Sequence, residues 1–387
     1  MVQQIGDSAQ DKVGDVLGTG YQPVQQTNEN DYERKTKMKA IVYTKYGSPN
    51  DLQLKEVEKP APKDNEVLVK IYATTVTPGD AIVVKGDPFP VRFFSGLLEP
   101  KHKIPGKEMA GRVEAVGKNV TQFQPGDEVF GDLTVCGLGA FAEYVSVPEN
   151  AIGLKPANLT FEEAAAVPES AIVALQGLRD HGKIQAGQKV LINGTSGGVG
   201  SYAVQIAKSF GAEVTAVCST RNLDMARSLG ADHVIDYTQE DFTQNGQQYD
   251  LILAANGYHP ISDYRRALSP EETYVATGGS MAQTFEAMLQ GPIISMRGSK
   301  KMGNMLVKPN KNDLLFMKNL IEAGKVIPVI DRSYPLGDVP EAFRYLEEGH
   351  AQGKIVITVH QAEPDNFPYL PIAIPAVSER LLDETRR

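Results

Sequence analysis

Cysteine is nearly absent. Cys136 and Cys218 are the only two in 387 residues, far apart and without a CxxC pair, so neither a disulfide framework nor a cysteine-based zinc site is indicated. A reducing cytoplasm is the expected compartment. The six histidines, at 102, 181, 233, 259, 350 and 360, form no HExxH pair and read as surface or capping residues rather than metal ligands. No apolar run approaches the roughly 20 residues needed to cross a bilayer. The N-terminus lacks the charged-then-apolar pattern of a secretory signal. Residues 1–37 carry Asp7, Asp11, Asp15, Glu29, Asp31 and Glu33, which speaks against an acid-poor transit peptide; a loosely ordered extension is expected. Basic excess is missing too: Lys+Arg 39 against Asp+Glu 48 leaves a net charge of −9, arguing against nucleic acid or an anionic membrane surface as main partner. The hydrophobic share of 41% and charged share of 22% are ordinary for a globular chain, so disorder is not the default.

What is present is a strand, tight turn and helix in the stretch 189–207. An apolar run, Lys189-Val190-Leu191-Ile192-Asn193, leads into Gly194-Thr195-Ser196-Gly197-Gly198-Val199-Gly200, and an amphipathic pattern at helical spacing follows. Such a turn lets backbone amides approach a pyrophosphate, with the positive end of the helix dipole behind them. A second β-like run, Glu213 to Cys218, begins after Gly211, as a dinucleotide-binding βαβ unit requires. Thr195, Ser196, Gly197, Gly198 and Val199 are therefore the candidate phosphate contacts, a bare structural turn being the alternative. The acidic residue that would hold a ribose 2′-hydroxyl is missing, and the chain reads Cys218-Ser219-Thr220-Arg221. Ser219 and Arg221 suit a 2′-phosphate, which points to NADPH; a solvated arginine opening the next helix is the alternative.

Around this unit the texture changes twice. Residues 38–160 read as closely punctuated strands of a compact, partly antiparallel β module, and residues 161–300 as alternating helices and strands of a parallel, doubly wound sheet. Residues 301–360 add two helices and a last strand, Lys354 to Val359, and 361–387 form a Pro-containing tail. The run Pro292-Ile293-Ile294-Ser295-Met296-Arg297 reads as the last strand of the parallel sheet. An apolar edge needs a partner or a cover.

In combination and order, the blocks Gly106-Lys107-Glu108-Met109-Ala110-Gly111, Pro125-Gly126-Asp127-Glu128-Val129-Phe130-Gly131, Gly139-Ala140-Phe141-Ala142-Glu143-Tyr144, the glycine turn, Gly230-Ala231-Asp232-His233-Val234-Ile235-Asp236-Tyr237 and Gly353-Lys354-Ile355-Val356-Ile357 resemble the zinc-independent, quinone oxidoreductase-like members of the medium-chain dehydrogenase/reductase superfamily over about residues 38–360. The resemblance implies an α/β fold, a Rossmann sheet plus a split GroES-like β domain. Where zinc-dependent members carry Gly-His-Glu, this chain has Gly106-Lys107-Glu108, and their catalytic cysteine near Thr77 is gone.

Further contacts follow from the resemblance. Tyr237 would lie near the adenosine phosphates and Lys354 would approach them from the other domain, the alternatives being a packing aromatic and a solvated lysine. Gly278 and Gly279 match the place where the nicotinamide passes the backbone, or form a plain turn. Val173 replaces a threonine usual against the cofactor. Without a metal, the easiest acceptor is one already activated by conjugation, a quinone, enone or enal, with a nearby donor stabilising the developing oxyanion. Candidate donors are Thr77, where the family usually has asparagine, and Tyr258; Asp80 reads as a structural cap. Phe93, Phe94, Leu97 and Leu98 form an apolar insert suited to wall the acceptor site or to join a core. Similar proteins pair the last Rossmann edge across a two-fold axis, so a homodimer is expected unless a tail covers it. Competing readings are an NADP-dependent alcohol dehydrogenase or carbonyl reductase, and a non-catalytic, NADPH-bound structural or interaction protein.

Overall fold

The structure, a computed structural model, describes residues 36–361 apart from 258, 280 and 298. The β module contains β1 (Lys37–Val42), β2 (Gln53–Glu58), β3 (Glu66–Val76), β4 (Glu108–Val116), β5 (Glu128–Asp132), β6 (Tyr144–Pro148) and β7 (Ile152–Leu154). β1 and β2 pair with each other. β3 is buried along nearly all its length, because it is flanked by β4 on one side and reached by β6 from another. These ladders are antiparallel, with β5 bonded to β4 and β7 to β5.

The parallel sheet is built from β8 (Lys189–Asn193), β9 (Glu213–Cys218), β10 (His233–Asp236), β11 (Tyr249–Ala254), β12 (Leu268–Ala276) and β13 (Lys301–Asn304). Their spatial order is β10-β9-β8-β11-β12-β13, which reverses direction between β8 and β11. At such a point a crevice opens beyond the carboxyl ends of the strands, and dinucleotides bind there. Val190, Leu191 and Ile192 of β8 are each fully buried, as a strand covered by helices on both faces must be. The chain then supplies β14 (Ile330–Pro335) and β15 (Lys354–Thr358). These return to the β module: β14 lies parallel to β15, and β15 pairs antiparallel with β3 from Ile355↔Val76 to Thr358↔Ala73.

The edge of the parallel sheet differs from the expectation. The run Pro292–Arg297 is not a strand but the last part of a helix, Met281–Arg297. The outer strand is β13, paired parallel with β12 from Thr273↔Lys301 to Ala276↔Asn304. Gln283, Ala287 and Gly291 are buried and Ile294 packs against the core, a spacing of four, four and three that marks one helical face. A six-residue apolar run carries too little periodicity to separate the two readings. Gly291 matters here: a Cβ on it would lie 2.5 Å from the Met302 carbonyl oxygen, so the helix crosses β13 at close range.

Candidate active site

The turn after β8 depends on backbone that has no room for side chains. Gly194 has φ +88, in the left-handed region that favours glycine. A Cβ on Gly200 would lie 2.1 Å from the Gly194 oxygen, so the helix Gly198–Ser209 can start this close to the strand only without one. Thr195 is buried and ties the turn inward: its N–H donates to the Val217 carbonyl at 3.1 Å and its hydroxyl to Ile192 O at 3.1 Å. Beyond it the surface is bare. The nearest atom to a Cβ on Gly197 would be 3.8 Å away, whereas one on Gly198 would meet Ser170 Oγ at 2.8 Å and Lys354 Cδ at 3.0 Å. The first amides of the helix, at Gly198, Val199 and Gly200, have no acceptor within it, and the dipole adds positive potential there. This concave, glycine-lined backbone fits a pyrophosphate.

Further residues gather around the ends of β9 and β10. Ser219 is half-buried and its Oγ accepts from Asn222 Nδ2 at 3.0 Å. Arg221 is exposed and donates to the His350 carbonyl at 2.6 Å. Tyr237 follows β10, the residue 59% exposed and its N–H bonded to Cys218 O at 3.1 Å. The segment before β15 comes back over both loops: Gln352 Nε2 donates to Asn222 Oδ1 at 2.7 Å, and the Gly353 N–H donates to Ser196 O at 2.8 Å. Ser196, Ser219, Arg221 and Tyr237 therefore lie beyond the carboxyl ends of the neighbouring strands β8, β9 and β10. Across the crevice, Gly278 and Gly279 follow β12. A Cβ on Gly278 would lie 2.5 Å from Ala255 O, and Gly279 has φ +100. Tyr258 lies outside the described residues. Val173 is buried.

The remaining candidates stand where β3 meets the helix Pro78–Lys85. Thr77 caps that helix: its hydroxyl accepts from Asp80 N–H at 3.2 Å and donates to Asp80 Oδ2 at 2.8 Å. The hydroxyl thus takes part in the cap, and Asp80 closes the box; Thr77 also helps to hold the Glu169 carboxyl down. Lys354 is not solvated but buried, with Nζ on the carboxylate of the fully buried Glu108 and 3.2 Å from Ser170 Oγ. Glu108 also accepts from Thr75 Oγ1 and, at 2.8 Å, from the Glu169 N–H. Phe93, Phe94, Leu97 and Leu98 join no core; they are between 51% and 90% exposed.

A second ion pair lies beside the first. Lys107 Nζ is 2.6 Å from Glu169 Oε1. Burial alone would lower the Lys107 ammonium, but Glu169 and then Asp80 outweigh it and hold the proton firmly. Burial likewise opposes ionisation of Glu169, and Lys107 and Lys354 overcome it. Asp80 is pushed up to about 7 by burial, against the pull of Lys107. Asp132 is pushed up to about 6, by burial and then by Glu169. Asp80 Oδ1 and Glu169 Oε2 are buried without a hydrogen-bond partner. A metal does not suit this donor set: the Lys107 ammonium stands among the carboxylates as a competing cation, and among the described residues no group of three His, Cys, Asp or Glu gathers to hold an ion.

Lys107, Glu108, Glu169 and Ser170 are absent from the site expected on sequence alone. Lys107 was the available clue, since a lysine in place of a metal ligand calls for a counter-charge, but nothing local points to Glu169, 62 positions away.

A dinucleotide crevice in a parallel sheet, closed by a strand returning from a separate β module, defines a two-part nicotinamide-binding oxidoreductase. Residues 63–157 match the family model for the alcohol dehydrogenase GroES-like domain, and residues 229–357 that for zinc-binding dehydrogenase. The chloroplast envelope quinone oxidoreductase homolog of Arabidopsis thaliana is 36% identical over 334 residues, 83% of this chain and 98% of that one. The NADPH-dependent alkenal/one oxidoreductase, chloroplastic, of the same plant is 34% identical, covering 83% of this chain and 79% of its own. Among solved structures, the quinone oxidoreductase from Coxiella burnetii superposes with a TM-score of 0.74 at 28% identity, over 84% of this chain and all of that one. The chain belongs to the medium-chain dehydrogenase/reductase superfamily, among its quinone oxidoreductase-like and alkenal/one reductase members. No helix among the described residues is long and apolar enough to cross a membrane.

Proposed function

We propose that this chain is an NADPH-dependent, zinc-free oxidoreductase that reduces a quinone or an α,β-unsaturated carbonyl compound. The observation that carries the reading is the Lys107–Glu169 pair, an ammonium held by a carboxylate in the block where the resemblance to zinc-dependent members puts a histidine ligand. Without a Lewis acid there, the acceptor must bring its own activation, and conjugation supplies it. When bound, the reduced nicotinamide provides a hydride. The chain's part is to hold and orient. The amides after Gly197 receive the pyrophosphate, Ser219 and Arg221 receive the 2′-phosphate, Tyr237 flanks it, and Gly278 and Gly279 leave the ring room beside the backbone. Preference for NADPH is supported by the missing acidic residue at the end of β9 and by the likeness to an NADPH-dependent alkenal/one oxidoreductase.

The same reading includes a homodimer along the β13 edge, supported by Met288, Leu289, Ile293 and Met296, which are exposed on the helix beside it. Two unpaired cysteines suit a reducing compartment, and the cytoplasm is the one we assign; fluorescence of a tagged chain tests that.

The decisive experiment is a screen of NADPH oxidation by purified protein against quinones, enones, enals and plain aldehydes. Turnover confined to the conjugated acceptors is expected. Turnover of plain aldehydes and ketones instead identifies a carbonyl reductase, and NADPH binding with no turnover identifies a non-catalytic protein.

A further inference from the structure

The ion pair Lys107–Glu169 has features that neither helix capping nor cofactor binding uses. Lys107 Nζ would sit 2.2 Å from a Cβ on Gly79, with Glu169 Oε1 at 2.9 Å from the same point, so the glycine after Pro78 is what admits the ammonium. An ammonium has three N–H donors, and the described protein acceptor of this one is Glu169 alone. Two buried oxygens beside it, Asp80 Oδ1 and Glu169 Oε2, make no hydrogen bond at all. The pair also reaches an opening: the Lys107 and Glu169 side chains are 12% and 19% exposed, whereas Asp80 and Glu108 are closed off at 1% and 0%.

Two links place that opening. On one side, Glu169 is followed by Ser170, which touches the glycine turn and bonds Lys354. On the other, the Lys107 carbonyl accepts from the Leu133 N–H. The neighbouring Asp132 lines a cavity of about 620 Å³ together with Val135, Cys136, Ile172 and Leu314. The ammonium therefore lies between the cofactor turn and Leu133, whose neighbour Asp132 lines that cavity while Lys107 and Glu169 do not.

We propose that Lys107 is a catalytic residue whose ammonium, clamped by Glu169, hydrogen-bonds the carbonyl oxygen of the acceptor and holds the negative charge that develops there. This rests on the reading that the chain reduces a conjugated carbonyl with a reduced nicotinamide. Hydride addition brings two electrons to the β carbon. The C=C pair shifts toward the carbonyl carbon, and the C=O π pair moves onto oxygen, giving an enolate. A proton passes from Nζ to that oxygen, yielding the enol, and the amine regains a proton from solvent through the opening. A cation fixed before the reaction needs no reorganisation as the charge forms. Ionised Asp80 or Asp132 in its place would repel the oxyanion; burial keeps both above the usual carboxylate range, and Glu169 is the counter-charge that keeps Lys107 protonated.

The test uses the full chain and two readouts. Lys107→Met should lower kcat for NADPH-driven reduction of cyclohexenone about 100-fold or more, with KM and NADPH affinity little changed. The second readout needs no turnover. Para-nitrophenol, whose ionised form absorbs in the visible and mimics the oxyanion, should be captured as phenolate by the complex of wild type with NADP⁺, retained by Lys107→Arg and lost in Lys107→Met. Should Lys107→Met fail to fold because Glu169 is left uncompensated, the double variant Lys107→Met/Glu169→Gln removes both charges and should show the same two losses. Phenolate capture that is absent in wild type or unchanged in the variant, or a kcat loss below about threefold, overturns the proposal. Lys107-dependent capture in a protein that reduces no conjugated acceptor leaves this anion site standing and removes the proposed function instead.

Discussion

Gly197 and Gly353 face each other in a lone parallel bridge, and the Gly353 amide donates to the adjoining Ser196 carbonyl at 2.8 Å. The contact joins the glycine turn of the parallel sheet to the entry of β15, which is itself woven into the β module through β3. Gly353 has φ +98, and a Cβ there would lie 2.3 Å from the Val329 oxygen. Gly353→Ala should therefore cost about 1–3 kcal/mol in stability and weaken NADPH binding, since the turn loses its brace. Thermal melts with and without NADPH measure both effects; unchanged values would contradict the coupling.

Arg221 is exposed at the end of β9, where no acidic residue stands. A charge-assisted contact to a 2′-phosphate contributes about 1.5–3 kcal/mol. Arg221→Ala should narrow the preference for NADPH over NADH by roughly 10- to 100-fold, read from the two dissociation constants. Equal affinities in the unmutated protein would refute the assignment.

Asp80 binds its proton more tightly in the folded chain than in the unfolded one, its carboxyl being raised to about 7 by burial. The stability this provides is complete below the ordinary carboxylate range and is lost as pH rises through about 7. Asp80→Asn keeps an acceptor for the Thr77 hydroxyl and amide but cannot ionise. The melting temperature of the variant relative to wild type should therefore increase between about pH 4 and pH 8. A constant difference would mean that Asp80 ionises normally.

The short edge strand β13 and the exposed apolar side chains of the neighbouring helix predict a homodimer. Mass measured in solution on the full chain and on residues 38–360 checks it. A monomer in both would refute edge pairing; a dimer only after trimming would assign the cover to one of the tails.

The parallel sheet is legible in the sequence where strands are long apolar runs closed by glycine. β8, β9 and the helix Gly198–Ser209 lie where the pattern puts them, and so does the glycine turn between β8 and that helix. β13 is not legible, because Lys301-Met302-Gly303-Asn304 offers a single buried apolar side chain, Met302, and its partner β12 is distant in sequence. The apolar run at 292–297 carries the stronger strand pattern, though it is helical. Thr77 and its capping partner Asp80 are readable three positions apart, whereas the partner of Lys354 is not. Lys354 pairs with Glu108 across 246 positions, a relationship that neither residue's neighbours encode. Side-chain charge states follow from burial that only the three-dimensional packing supplies.

The central claim, hydride delivery to a conjugated acceptor without a metal, is tested most directly by incubating metal-analysed protein and NADPH with crotonaldehyde and, separately, butanal. The account predicts that protein holding no stoichiometric zinc, and unaffected by chelator, converts crotonaldehyde to butanal and stops there, leaving butanal untouched. Formation of alcohols from both aldehydes, or activity that is lost together with stoichiometric zinc, would contradict it.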